Sequence, residues 1–84
     1  MSQDSFFHEA SGSVRFWVEI DAVWIGASIR KETLHYVYRP DGRDEDPLVT
    51  YSSHMLELDA AVRRRVAAGA REPVMLRDAD LVTV

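Results

Sequence analysis

Between positions 14 and 29 apolar residues recur at every second place, twice over, around a two-residue gap. Val14, Phe16, Val18 and Ile20 share one side of an extended chain, and Val23, Ile25, Ala27 and Ile29 share one side of the next. Period two is the mark of a half-buried strand. With Asp21 and Ala22 as the turn, opposed residues have numbers that sum to 43, and every pair on one face is apolar: Ile20 with Val23, Val18 with Ile25, Phe16 with Ala27, Val14 with Ile29. A one-residue slip would carry one apolar set to the wrong face, so the pattern specifies the register. Ala22 is ill suited to the positive φ of a type I′ turn, which leaves a longer or different turn open.

The other face of this hairpin (13–29) sets Arg15 opposite Ser28, Trp17 opposite Gly26 and Glu19 opposite Trp24. Trp17 can lie over the bare backbone of Gly26, with Trp24 as its diagonal neighbour. Two readings follow. The indoles are covered, by each other or by Phe6 and Phe7; or they face a partner, since aromatics are enriched at the centres of interfaces. The candidate interaction surface is therefore Trp17, Trp24, Glu19 and Arg15.

Residues 1–12 form a loose polar start with a short edge strand expected around Ser5 to His8. Residues 30–38 (RKETLHYVY) predict a short helix with Leu34, Val37 and Tyr38 on one side, stopped by the turn signal at Pro40-Asp41-Gly42. Gly42 to Asp46 is a charged loop. A long helix over 46–69 starts at Pro47, a favoured first helical position, with Asp46 as N-cap. Its stripe is Leu48, Tyr51, Met55, Leu58, Val62 and Val66, and Gly69 stops it. Such a helix is roughly 33 Å long, whereas a seven-residue strand spans about 23 Å, so it should overhang the sheet, end bent, or pack on a partner. Residues 72–77 predict a last strand, with Val74 and Leu76, or else Met75, inward; Asp78 to Leu81 is expected to be a turn of helix. The expected fold is one α+β domain spanning 1–84: an antiparallel sheet of three to four strands in the order β-β-α-α-β, a further N-terminal strand included or not, with two helices on one face.

A chain of 84 residues buries only roughly 60 to 65% of its unfolded surface, so its margin of stability is thin. The absence of cysteine excludes disulfides, thiolate metal sites and thiol catalysis, and fits a reducing cytoplasm. No basic region followed by an apolar run begins the chain, and no 18-residue apolar stretch occurs, so neither export by a standard signal nor a membrane partner is expected. A net charge of −4 argues against a general binder of phosphate backbones.

No motif names a reaction. His54 with Glu57 three residues on is at most half a metal site, and a solvated helix face is the preferred reading. The acidic run 41–46 has its glycine at the wrong place for a calcium loop. Ser52, Ser53 and His54 are adjacent on a helix and do not face one another. Arg63, Arg64 and Arg65 point about 100° apart and suit the closing turns of a helix, with Asp59 placed to pair with Arg63; an anion contact through Arg63, Arg64, Arg65 and Arg71, joined by Arg15, is the alternative. No catalytic residue, cofactor or metal is assigned, and an enzyme is the third reading.

Four stretches, V-R-F-x-V-x-I-D (14–21), A-S-I-x-x-E-x-L (27–34), R-R-x-x-A-A-G (63–69) closing the long helix, and V-M-L-R-D-A-D-L (74–81), resemble in order and spacing the bacterial family known as domain of unknown function 1488. The likeness covers the chain from Phe6 to Leu81. It departs at Arg30, where the family has Ser at the start of the first helix, and at Asp21-Ala22, where Asp-Gly or Asn-Gly is common. The resemblance implies a small α+β protein and carries over no catalytic residue. The expected function is a non-catalytic interaction or regulatory module, a homodimer or bound to another protein, with a nucleic-acid or anion accessory role as the alternative.

Overall fold

The computed structural model describes residues 5–42 and 46–81; Arg43, Asp44 and Glu45 of the charged loop lie outside them. The elements in order are β1 (Phe6–His8), β2 (Ser13–Ile20), β3 (Val23–Arg30), α1 (Lys31–Tyr38), α2 (Pro47–Ser53), α3 (Met55–Ala67), β4 (Val74–Leu76) and α4 (Asp78–Leu81). They form a four-stranded sheet in the order β1-β2-β3-β4. The β2–β3 register is the expected one, from Val14 against Ile29 to Ile20 against Val23. Asp21 and Ala22 do form the turn, with φ of 51° and 65°, the two positive values a type I′ turn demands.

The sheet is mixed, which corrects the all-antiparallel expectation. β4 runs parallel to β3, Ala27 against Val74 and Ile29 against Leu76. A three-residue strand carries no orientation in its own sequence; the helical connection decides it, and α1 to α3 return the chain to the end of the sheet where β3 begins, as a crossover between parallel strands must.

The long helix is also corrected: it is two helices broken at His54, with φ −122° and ψ 21°. The cause is local. His54 Nδ1 bonds the Thr50 carbonyl at 3.0 Å, the acceptor that the His54 amide would use in a continuous helix, and the amide turns instead to the Tyr51 carbonyl at 3.0 Å. A side chain competing for a helical carbonyl bends or ends the helix. The expected stripe survives at Tyr51, Leu58 and Val62, all buried, but Met55, just past the break, is 44% exposed. The start and stop are as expected. Asp46 Oδ1 accepts from the Leu48 amide at 2.9 Å. Gly69, at φ 97°, closes α3 as its amide and that of Ala70 bond the carbonyls of Val66 and Arg65, the Schellman arrangement.

All four helices belong to one core. Val14, Phe16, Val18, Ala27 and Ile29 meet Leu34, Tyr51, Leu58, Ala61, Val62, Val74, Leu76 and Leu81. The rings of Phe16 and Tyr51 are 4.8 Å apart at their centroids. The apolar face fades toward the turn, where Val23 is 55% exposed.

Candidate functional site

Strand alternation divides the sheet into a helix-covered face and an open one. Phe6 pairs with Arg15, Arg15 with Ser28, Trp17 with Gly26 and Glu19 with Trp24, and Ser28 with Met75. These residues share the parity opposite to Val14, Phe16 and Ile29, so they lie on the face away from the core. Phe6 is 42%, Trp24 36% and Met75 58% exposed. The open face thus carries more apolar area than a solvated sheet needs.

Trp17 is half-buried, and its cover is Phe6, whose ring lies 6.0 Å away at an interplanar angle of 32°. Phe7 has the other parity and packs against the core, so only one of the two N-terminal phenylalanines folds over the indoles. Gly26 lets this surface lie flat. A Cβ there would stand 3.5 Å from Trp17 Nε1 and 3.1 Å from Glu72 Oε2, and that carboxylate accepts from the Gly26 amide at 2.8 Å. Beside the indole is a shallow depression of about 320 Å³ bounded by Arg15, Ser28, Pro73 and Met75. Arg15 and Glu19 stand exposed two residues to either side of Trp17, about 7 Å along the strand in each direction.

The arginine run has a different placement. Arg63 Nη2 reaches the Glu19 carbonyl at 3.5 Å, and Arg64 Nη2 donates to the Asp80 carbonyl at 2.8 Å. Arg65 Nη1 donates to the Met75 carbonyl at 3.1 Å and to the Asp80 carboxylate at 2.7 Å, a pair with side chains only 31% and 17% exposed. Three guanidiniums therefore tie α3 to β2, β4 and α4. Arg71 is exposed beyond the helix end, and Arg15 is on the open sheet face, so the structure does not gather these five residues on one surface.

His54 is half-buried rather than solvated. Its ring stacks on Tyr38 with centroids 3.7 Å apart and planes 14° apart, while the Tyr38 hydroxyl donates to Glu57. Burial, then the hydrogen bond and charge of Glu57, hold the Tyr38 hydroxyl well above the usual phenol range. Glu57 is thus engaged by Tyr38, and the cluster fastens the helix break to the end of α1. No group of three or more histidines or carboxylates suited to a metal occurs among the described residues. Burial and the charge of Asp59 push Tyr51 up to about 12, and burial raises Asp59 against the opposing pull of Arg63.

Sequence reading found Arg15, Trp17, Glu19 and Trp24 on the open face, offered Phe6 and Phe7 together as cover where Phe6 alone meets Trp17, and left the direction of Met75 open; alternation with the buried Val74 and Leu76 turns it outward. No protein-family model, no curated protein and no solved structure matches the chain. No helix among the described residues is long and apolar enough to cross a membrane.

Proposed function

We propose that this protein is a small cytoplasmic, non-catalytic interaction or regulatory module of bacterial origin that pairs with a second copy of itself through the open sheet face, and that it belongs with domain of unknown function 1488. The observation that supports self-association is the apolar set Phe6, Trp17, Trp24 and Met75 on the face the helices leave bare. The charges beside it favour a second copy over another occupant. Arg15 and Glu19 flank Trp17 at equal distances on one strand, so a two-fold axis passing over Trp17 and perpendicular to β2 sets each Arg15 against the partner's Glu19. An isologous contact requires this kind of self-complementary patch.

The face is small. Eight-residue strands span about 27 Å and four strands about 14 Å between outer axes, a footprint of roughly 400 Å², below the ~800 Å² per partner of a standard interface. The dimer should be weak and reversible. Sedimentation across a concentration series, with acrylamide quenching of the indoles on the same samples, tests it. Association accompanied by loss of quenching supports the proposal; a monomer at millimolar concentration with quenchable indoles sinks it. Charge exchange then tests the geometry: Arg15→Glu and Glu19→Arg should each weaken self-association, and an equimolar mixture of the two variants should form a heterodimer. We do not extend the proposal to an anion contact at Arg63 to Arg65, whose guanidiniums bond carbonyls and a carboxylate of their own chain.

A further inference from the structure

β3 and β4 are the parallel pair, and each runs directly into a helix, α1 after Arg30 and α4 after Arg77. Both helices begin at the same end of the sheet. The crevice outside the carboxyl ends of parallel strands, where helix N-termini converge, is where such sheets take ligands. Here Ile29 pairs with Leu76, so Arg30 and Arg77 leave the sheet side by side, one position beyond the last pair. Between them lies a cleft of about 450 Å³ lined by Ser28, Thr33, Met75 and Asp78 among others.

Three features of this cleft lack an internal explanation. Two like charges on adjacent strands repel, and among the described residues only Arg30 of the two has an ion pair, at 3.3 Å with Glu32, both side chains about half-exposed and so worth little. The start of α1 has no side-chain cap, because an arginine stands at the N-cap position where Ser, Thr, Asp or Asn would accept from the first amides. Thr33 is 8% exposed and lines the cleft, yet its hydroxyl has no hydrogen bond among the described residues. The Lys31 amide bonds the Gly12 carbonyl at 2.9 Å, which leaves the amides of Glu32 and Thr33 at the α1 start; an oxyanion would neutralise the arginine pair, accept from those two amides, and accept from the Thr33 hydroxyl.

We propose that the cleft at the carboxyl ends of β3 and β4 binds a singly charged oxyanion group, the carboxylate or phosphate diester of a small molecule, between Arg30, Arg77, Thr33 and the α1 N-terminus. Asp78 also faces the cleft, and its carboxylate disfavours a second negative charge while offering an acceptor to a hydroxyl or ammonium on the same ligand. The cleft borders the aromatic face and shares Ser28 and Met75 with it, but Arg30, Arg77 and Thr33 lie outside the apolar set, and anion binding does not depend on self-association.

Amide chemical shifts followed during titration with sodium phosphate, and separately with sodium acetate, against sodium chloride at equal ionic strength, test it. Saturating shifts at residues 31–33 and 77–79 are expected. The anion that saturates identifies the group: phosphate alone a phosphoryl ligand, acetate a carboxylate. Each removed guanidinium takes away a charge-assisted hydrogen bond, so Arg77→Gln should weaken binding about tenfold, Arg30→Gln/Arg77→Gln should abolish saturation, and Asp78→Asn should tighten it. All three residues are exposed, and an unchanged amide spectrum in the absence of anion shows that the variants fold. Shifts that grow linearly and match those in chloride overturn the proposal, as does saturation that survives loss of both arginines.

Discussion

The two faces of the β2–β3 hairpin are made by the same sixteen residues in the same register, yet one face is sealed and the other open. Inward, Val14, Phe16, Val18, Ala27 and Ile29 are at most 4% exposed. Outward, Trp17 rests half-covered beneath Phe6 and Trp24 is 36% exposed. The difference teaches that hydrophobicity alone does not place a residue in the core: parity decides which side it faces, and the helices decide which side is covered. The inner face should therefore set stability and the outer face association.

The largest expected effect breaks the comparison at its centre. Phe16→Ala empties a site packed against Tyr51 and should cost about 3–5 kcal/mol, much of the ~5–15 kcal/mol that holds a typical domain. Its neighbour Trp17→Ala should stay within about 1 kcal/mol of the parent, since a half-exposed site can relax, while abolishing self-association. Urea unfolding followed by circular dichroism, alongside sedimentation, separates the two. Equal destabilisation by both variants would refute the division of labour.

A smaller effect concerns the arginines at the end of α3. Arg65→Ala leaves the half-buried Asp80 carboxylate with the Arg77 amide as its remaining partner, at 2.8 Å, and strips the Met75 carbonyl of its donor. We expect a loss of about 2 kcal/mol, the range for hydrogen bonds to charged groups. Exposed Arg71→Ala should change stability by less than about 0.5 kcal/mol. The same urea series reads both, and a silent Arg65→Ala would mean that the pair does not hold β4 to α3.

The hairpin was legible because its pattern admits only one register, and Asp46, Pro47 and Gly69 are signals whose chemistry is local. What stayed hidden depended on competition or on path. Nothing in the 3-4-3-4 spacing across His54 shows that its imidazole will take the Thr50 carbonyl and break the helix, nor that Tyr38 will stack there to hold it. The direction of β4 is set by the helices that precede it, and the bonds of Arg63 to Arg65 depend on where Glu19, Met75 and Asp80 arrive. The open face was half legible: the tryptophans announced it, but the parity of Phe6 and Phe7 could be assigned only once β1 had a register.

At the tip of the hairpin the two faces meet in a turn that carries strain. Ala22 sits at φ 65°, a conformation that places Cβ against the following carbonyl and costs about 1 kcal/mol. Glycine removes that contact, although it also frees the unfolded chain. Ala22→Gly should therefore stabilise the protein by somewhat less than about 1 kcal/mol and leave both faces, and self-association, unchanged. Thermal unfolding checks it, and a fall in Tm would show that the turn tolerates alanine without cost.

A further effect of similar size lies on the covered side, at a polar group among the helices. Asp59 Oδ1 is buried without a hydrogen-bond partner among the described residues, and burial raises its carboxyl above the ordinary 3.8, the charge of Arg63 offsetting part of the rise. A raised value means that the folded state holds its proton to higher pH than the unfolded chain does. The favourable contribution of that proton is complete below the ordinary value and is lost as pH rises through the folded one. At neutral pH the ionised carboxylate is left as a residual cost, limited because the side chain is part-open to water, which screens it. Asp59→Asn should then stabilise the fold at pH 7 by up to about 1 kcal/mol, and the gain should shrink as pH falls toward 3.8. Burial first, and then the charge of Asp59, push Tyr51 up to about 12; the variant removes the second of these, so Tyr51 should ionise at somewhat lower pH, as ultraviolet titration of the phenols would record. A pH-independent difference in stability would place the cost in packing rather than in the charge.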